Sequence, residues 1–445
     1  MSFSIGLSGL RAAAKDLEVT GNNIANSSTI GFKKSRAEFA DIYASSFGTC
    51  VNQAAVGVRL AAVTQQFSQG SIQLTGNTLD LAINGEGFFV LRNESGQDEM
   101  VYTRNGTFQV DRDGYVVSSA GKRLQVYPPQ IPKSNIAAFN SGQLEDLQLP
   151  LDNIAAKVTG SVDINFNLNA DEEIITEIGG PEFAWPEELP NTLPDPESYN
   201  WSTTYQVYDS LGSPRDVTMY FVKTGPLTWQ VHVGMYDVNN ATPPNPPMMI
   251  DATGTGGPIE IVFKTDGTLS TVNGAEVPSA DAVIPISMPA FEDNGADALV
   301  ASIKLDKATQ FSASKNSVID LTQDGYSSGT LSGFDVDTSG IVFARYSNGQ
   351  SHILGQVAMA NFKNPQGLAK LGDNNWAQSY GSGQPVYGAA GEGRLGSIQS
   401  CALENSNVDL TEELVNMITA QRNYEANAKT ISTADQMTQT ILNLR

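Results

Sequence analysis

The stretch Val19-Thr20-Gly21-Asn22-Asn23-Ile24-Ala25-Asn26-Ser27-Ser28-Thr29-Ile30-Gly31-Phe32-Lys33 decides how the chain is laid out. Upstream and into it, Phe3, Leu7, Leu10, Ala14, Leu17, Gly21 and Ile24 recur at alternating spacings of four and three. That spacing is a heptad seam along a helix, with Arg11, Lys15, Asp16 and Glu18 on its other faces. Ala14 and Gly21 permit close helix approach, and Gly21 costs about 1 kcal/mol of helix stability relative to Ala. Asn26 to Thr29 are four capping or helix-breaking residues in a row, and Gly31 follows, so the helix ends there. A single seam of this kind ordinarily docks on its own domain.

The far end of the chain repeats the pattern. Pro and Gly are absent from Val408 to Arg445, and Leu410, Leu414, Met417, Tyr424, Ala428, Ile431 and Leu442 hold a heptad register. Gln421, Asp435 and Thr438 interrupt it with polar groups. Asp409 or Thr411 supplies the N-cap, and Glu412 and Glu413 sit near the positive end of the helix dipole. Two matching ends imply helices that pack on each other or on copies of each other.

Between the ends the pattern is β. Ala37 to Phe47 reads as a short helical turn and Val56 to Phe67 as a strand pair. Phe88-Phe89-Val90-Leu91 is a buried strand. Asn105-Gly106 predicts a hairpin joining Met100–Arg104 to Thr107–Val110, and turns at Gly114 and Gly121 continue a meander to Tyr127. Pro128, Pro129 and Pro132 open a linker. The acidic, proline-rich tract from Asp171 to Glu197 reads as a long solvated loop. Strands resume from Ser202, with a turn at Asp209 to Gly212 and a hairpin at Asp266-Gly267, and the run closes near Phe311. Leu331–Val336, Ile341–Tyr346 and Ile353–Phe362 are strands able to complete the sheet begun near residue 79. Gly381 to Gly396 is glycine-rich and loop-like.

The expected fold class is therefore mainly β with α-helical termini. The N- and C-terminal helices form a coiled-coil-like domain, and two antiparallel β domains, the second inserted into the first, lie between them. The expected divisions are 1–35 with 402–445 as the terminal helical domain, 36–75 with 390–401 as a connecting segment, 76–150 with 322–389 as the first β domain, and 151–321 as an inserted β domain.

Composition narrows the function. The chain has 445 residues and a formal net charge of -22. That balance argues against a nucleic-acid partner or an anionic membrane, because phosphate recognition needs a basic face. No apolar run is long enough to span a membrane. Met1 to Leu17 has neither an unbroken apolar core nor a cleavage site, so export would need a dedicated route that leaves the N-terminus intact. Two His and two Cys leave little for catalysis or metal binding, and no cofactor is expected. Cys50 and Cys401 each lie near the boundary between a terminal segment and the β body. They are either two unrelated small residues or a disulfide, within one chain or between neighbours, formed in an oxidising space.

Three motif matches carry little weight. Gly325-Tyr326-Ser327-Ser328-Gly329 fits the nucleophile-elbow pattern, yet a β-run follows it and only His232 and His352 exist as bases. Gly391-Glu392-Gly393-Arg394-Leu395-Gly396 fits a dinucleotide fingerprint outside any βαβ unit. Asp111-Arg112-Asp113-Gly114 lacks the further ligands of a calcium loop and reads as a turn.

The terminal segments resemble a known family. Leu7-Ser8-Gly9-Leu10, Thr20 to Asn26 and Thr29-Ile30-Gly31-Phe32-Lys33 are similar to the N-terminal signature of bacterial flagellar rod and hook proteins. Glu413 to Ile418, Gln421-Arg422, Tyr424, Asn427-Ala428-Lys429 and Ile431 to Asp435 resemble its C-terminal end. Gly85-Glu86-Gly87-Phe88-Phe89 and Tyr102-Thr103-Arg104-Asn105-Gly106 resemble the core of its first β domain, and Tyr208-Asp209-Ser210-Leu211-Gly212 an inserted-domain motif. The likeness spans nearly the whole chain, and the length favours the hook branch over the shorter distal rod proteins. The acidic proline-rich tract and the cysteines fall outside the family pattern.

The resemblance implies a tubular helical homo-polymer outside the cell, a flexible universal joint passing torque from rod to filament, with a nested architecture: the terminal helices as inner domain, the first β domain around them and the inserted β domain outermost. It implies export by the flagellar type III apparatus, and contacts with the distal rod protein, the hook–filament junction protein and, during assembly, the hook cap. The two heptad seams would then be the polymer interface. A secreted β-rich adhesin or surface-layer subunit is the alternative of another class.

Overall fold

A computed structural model describes all residues except 1, 42–56, 94–98, 131–137, 151, 176–178, 187–191, 238–247, 255–256, 280–281, 292, 313–314 and 444–445. The chain divides into two compact units. The first comprises Met1–Leu151, Ser332–Arg345 and Ser351–Arg445, and the second Asp152–Leu331 and Tyr346–Gln350.

The first unit carries both helices, α1 (Ser2–Ala25) and α2 (Leu410–Asn443). Two strands, β1 (Ser35–Asp41) and β2 (Val58–Gln65), follow α1 and pair with each other as an antiparallel ribbon. The helical turn expected from Ala37 is therefore a strand as far as Asp41, and residues 42–47 lie outside the described residues. The strand pair expected over Val56–Phe67 is one strand, whose partner comes from before the loop. The local pattern could not show this, because each strand finds its partner across about fifteen residues of chain.

The main sheet of this unit mixes early and late chain. Phe88–Arg92 pairs with Met100–Thr103 and Arg123–Tyr127, while Gln356 pairs with Tyr127 and Met359 with Phe89. Strands after residue 340 thus complete the sheet begun by the early ones. Alternation fills both faces. Phe88, Val90, Tyr102, Phe362 and Trp376 pack on one, and Phe89, Leu91, Val126, Met359 and Ile398 on the other. The loop-like region after Gly381 contributes a short strand, Val386–Gly388, beside Met359–Asn361.

Asn105-Gly106 does not make the expected hairpin. Met100–Thr103 is bonded on one edge to Phe88–Arg92 and on the other to Asn375–Ala377, so no edge remains for Phe108–Val110. That strand pairs with Val116–Ser118 instead. The Asn105 side chain accepts from the Thr107 N–H at 3.1 Å, an Asx turn that carries the chain to a different strand partner in the same sheet.

The second unit is all β. Trp201–Tyr208, Pro214–Lys223, Thr228–Tyr236, Ile259–Phe263 and Leu269–Val272 form an antiparallel meander. In a second sheet Ser161–Leu168 runs parallel to Leu299–Lys304 and antiparallel to Ser317–Gln323. The sheets share a core that includes Phe166, Phe221, Trp229, Ile261, Ile286 and Ile303. The turn after Tyr208 is held by the buried Asp209 carboxylate, which accepts from the Leu211 and Ser213 N–H groups, from Arg215 and from Asn294. Burial pushes the Asp209 pKa up, but these donors outweigh it and hold the group below its ordinary value.

The described part of the acidic proline-rich tract is irregular, as expected, but it is not merely solvated. The Phe183 ring stacks on His232 at 3.9 Å and Trp185 lies edge-on to Tyr220. Aromatic burial pins a segment that charge and proline content alone mark as free.

Candidate assembly site at the chain termini

The two helices run antiparallel, side by side. Gly6 lies against Ile431 and Thr430, Gly9 against Asn427, and Asn23 donates to Glu413 at 3.3 Å. A Cβ on Gly9 would sit 2.5 Å from the Asn427 Oδ1, so a larger residue there would make the Asn427 side chain move aside. The start of α2 is capped by Asp409, whose carboxylate accepts from the Thr411 and Glu412 N–H groups at 2.8 and 3.1 Å.

The face of α1 turned to α2 carries Gly6, Gly9, Ala13 and Asn23, small or polar residues. The predicted heptad seam lies beside that contact. Phe3 and Ala14 are exposed, and Leu7, Leu10, Leu17, Gly21 and Ile24 are half-buried. No atom outside the neighbouring backbone lies within 4 Å of where a Gly21 Cβ would be. On α2, Glu413 and Ala420 are buried, and Met417, Ala428 and Ile431 are half-buried. Leu410, Leu414 and Tyr424 are exposed, as are Val415 and Ile418, which the heptad reading omitted. Periodicity revealed the apolar rows of both helices. It did not reveal that the intrachain contact uses a second, smaller face.

Behind the helices, the stretch ending at Lys33 is built into the β body. Lys33, Arg104 and Glu404 are all buried. Lys33 Nζ lies 2.6 Å from Glu404 Oε1 and donates to the Ser68 carbonyl, while Arg104 reaches Glu404 Oε2 at 3.3 Å and the Gly85 carbonyl at 2.8 Å. Burial lowers the pKa of both cations against the pull of Glu404. Gly31 has φ +68° and packs where a Cβ would meet the Asn105 backbone nitrogen at 2.7 Å. The Asn23 side chain spans to Ser35, accepting from its N–H and donating to its carbonyl. Asn407 accepts from the Lys34 N–H and donates to the Gln66 carbonyl. This polar junction is distributed over segments hundreds of residues apart, and composition gave no signal for it.

Cys401 is half-buried with φ 54°. Cys50, and with it the pairing considered above, lies outside the described residues. Tyr326 and Gly329 form β-bridges to Lys157 and Ile154, and a strand follows them, so the elbow geometry is not formed. Among the described residues no group of His, Cys, Asp and Glu is placed to hold a metal, and no helix is long and apolar enough to cross a membrane.

Family comparisons agree along the chain. Residues 3–33 match the model described as Flagella basal body rod protein and 82–162 the Flagellar hook protein FlgE/F/G D1 domain. Residues 167–326 match the Flagellar basal body protein FlaE D2 domain and 399–444 the Flagellar basal body rod FlgEFG protein C-terminal model. The fold and its paired ends thus define an axial protein of the bacterial flagellum. The chain is 37% identical to the flagellar hook protein FlgE of Escherichia coli and 38% identical to that of Salmonella typhimurium, over the full length of each. It is 32% identical to the hook protein of Borreliella burgdorferi, covering 100% of this chain and 99% of that one. The chain belongs to the flagellar hook protein FlgE family. The crystal structure of Helicobacter pylori flagellar hook protein FlgE2 shares the fold, with a TM-score of 0.52 at 18% identity over 75% of this chain and 100% of that one.

Proposed function

We propose that this chain is the structural subunit of the flagellar hook, polymerising through its terminal helices into a tube that bends while passing torque from rod to filament. The observation that carries the reading is the uncovered apolar surface of the helix pair. At one end of the pair Phe3 is 54% exposed in a single chain, and at the other Leu414 is 45% exposed, with Leu410, Val415 and Ile418 also open on α2. Rows of this size on paired helices need cover in water. The interface residues are Phe3, Leu7, Leu10, Ala14, Leu17, Gly21, Ile24, Leu410, Leu414, Met417, Tyr424, Ala428 and Ile431. The reading places the subunit between the distal rod protein and the hook–filament junction protein, growing under a cap after type III export.

The inner terminal helices would supply continuity along the tube, and the second unit, inserted into the first, would form its outer part. Electron microscopy of the purified protein under polymerising conditions tests the reading. Tubes are expected. A protein that remains monomeric at every concentration and salt tried, and whose gene deletion leaves hooks in place, would refute it.

A further inference from the structure

The open face of the helix pair has a definite side. At about 100° of rotation per residue, Leu7, Leu10, Ala14 and Leu17 lie roughly 90° clockwise from the contact face of α1, viewed from its N-terminus. On α2, Leu410, Leu414 and Ile418 lie roughly 110° clockwise from the contact face through Glu413, Ala420 and Asn427, again viewed from that helix's N-terminus. Equal senses of rotation on antiparallel neighbours bring the two rows to the same side of the pair, the α1 row level with the middle and C-terminal part of α2 and the α2 row level with the end of α1.

The opposite side is occupied. Ser8 Oγ accepts from the Val58 N–H at 3.2 Å and packs on Gly57, which sets the β1–β2 ribbon against α1 away from the open rows. The ribbon has its own incompletely covered apolar group. Phe39 pairs with Leu60 and Ala37 with Val63, which puts all four on one ribbon face, and Val63 is 43% exposed.

We infer that the open face of the helix pair receives the β1–β2 ribbon of the next copy of this chain. The inference rests on the hook reading above and adds which surfaces meet. A tube grows without limit only through a heterologous contact, in which two different patches meet head to tail. Two open helix faces meeting each other would be isologous and would close a dimer. The ribbon and the helix rows are different patches, each with apolar residues uncovered in the single chain. Repetition of ribbon, α1 and α2 in one direction covers both.

The test uses full-length chain with Cys50→Ser and Cys401→Ser. One batch carries Val63→Cys and another Leu414→Cys, and a second pair carries Leu60→Cys and Leu10→Cys. Batches are mixed, polymerised, oxidised and run on non-reducing gels. Because each chain has one cysteine, any disulfide joins two chains. Mixed-pair dimers at least tenfold above those in unpolymerised mixtures are expected for one pair or both. Where a cysteine blocks assembly, Ala37→Cys or Ala14→Cys takes its place.

Tubes that yield only Leu414→Cys homodimers, or no dimers from any pair, overturn the inference and leave the hook reading intact. A Cys50→Ser, Cys401→Ser parent that forms no tubes, while unaltered chain does, is replaced by the Cys50→Ala, Cys401→Ala chain, which keeps one cysteine per probe variant. Failure of the unaltered chain to form tubes sinks both readings.

Discussion

Leu414→Ala isolates the contribution of the open helix face to assembly. Ala keeps helix propensity at least as high as Leu, so α2 itself is not weakened. The truncation removes about three methylene equivalents, worth roughly 2.4 kcal/mol at about 0.8 kcal/mol each if a neighbour covers them fully. Leu414 is 45% exposed in the single chain, so a little under half of that gain is left for assembly. The expected loss is about 1 kcal/mol per subunit, and since roughly 1.4 kcal/mol is a factor of ten, the critical concentration should rise about fivefold. Sedimentation of polymer at a series of total concentrations reads this directly. Leu414→Met, which conserves volume, should stay within a factor of two of the parent. A critical concentration unchanged by Leu414→Ala would refute the idea that this row is covered in the tube.

Three further outcomes follow from the buried polar groups, and a fourth from the ends. Asp209→Asn removes the charge that Arg215 and Asn294 bind, and should lower the stability of the second unit by about 3 kcal/mol in denaturant titration; a change below about 0.5 kcal/mol would show the turn does not depend on it. His232 is held neutral by burial, its pKa pushed down to about 4. The unfolded chain takes the proton first as pH falls below 6.5, so His232's contribution should lower stability between pH 6.5 and about 4, by on the order of 1–3 kcal/mol, and add nothing further below. His232→Phe should flatten that slope, and an unaltered slope would assign it elsewhere. In the assembled tube Glu404→Leu strands two buried cations and should lower the disassembly temperature clearly, whereas Arg394→Ala, which breaks the exposed pair with Glu86, should leave it nearly unchanged; equal effects would contradict the weight given to burial. In the free subunit the helices lack their neighbours, so proteases should remove both ends readily and polymerisation should protect them; resistant ends in a verified monomer would oppose this.

Much of the architecture was legible because it is periodic. The 3.6-residue pattern at both ends and the run of turn signals between them reflect local backbone preference, which sequence reports well. Pairing partners were less legible. Asn105-Gly106 has hairpin chemistry, yet both edges of Met100–Thr103 are taken by strands distant in sequence. Ala37 to Asp41 has no strong local preference and becomes a strand because Val58–Gln65 arrives beside it. The heptad rows were visible as apolar surface. Whether they faced inward or outward depended on Gly6, Gly9 and Ala13, whose small size makes them silent in any hydrophobicity pattern. The Lys33–Arg104–Glu404 junction was illegible for the opposite reason: three charges read as surface until the fold buries them together.

That junction also determines how a pull on the helices travels. Lys33 and Glu404 are 371 positions apart in sequence and 2.6 Å apart in space, so the ion pair closes the intervening chain into a loop. Tension entering along α1 and leaving along α2 can cross at this point without traversing the loop. The second unit, Asp152–Leu331 with Tyr346–Gln350, lies wholly within it. A pull that crosses at this ion pair bypasses it, so within one chain the second unit and its acidic tract need not carry that tension.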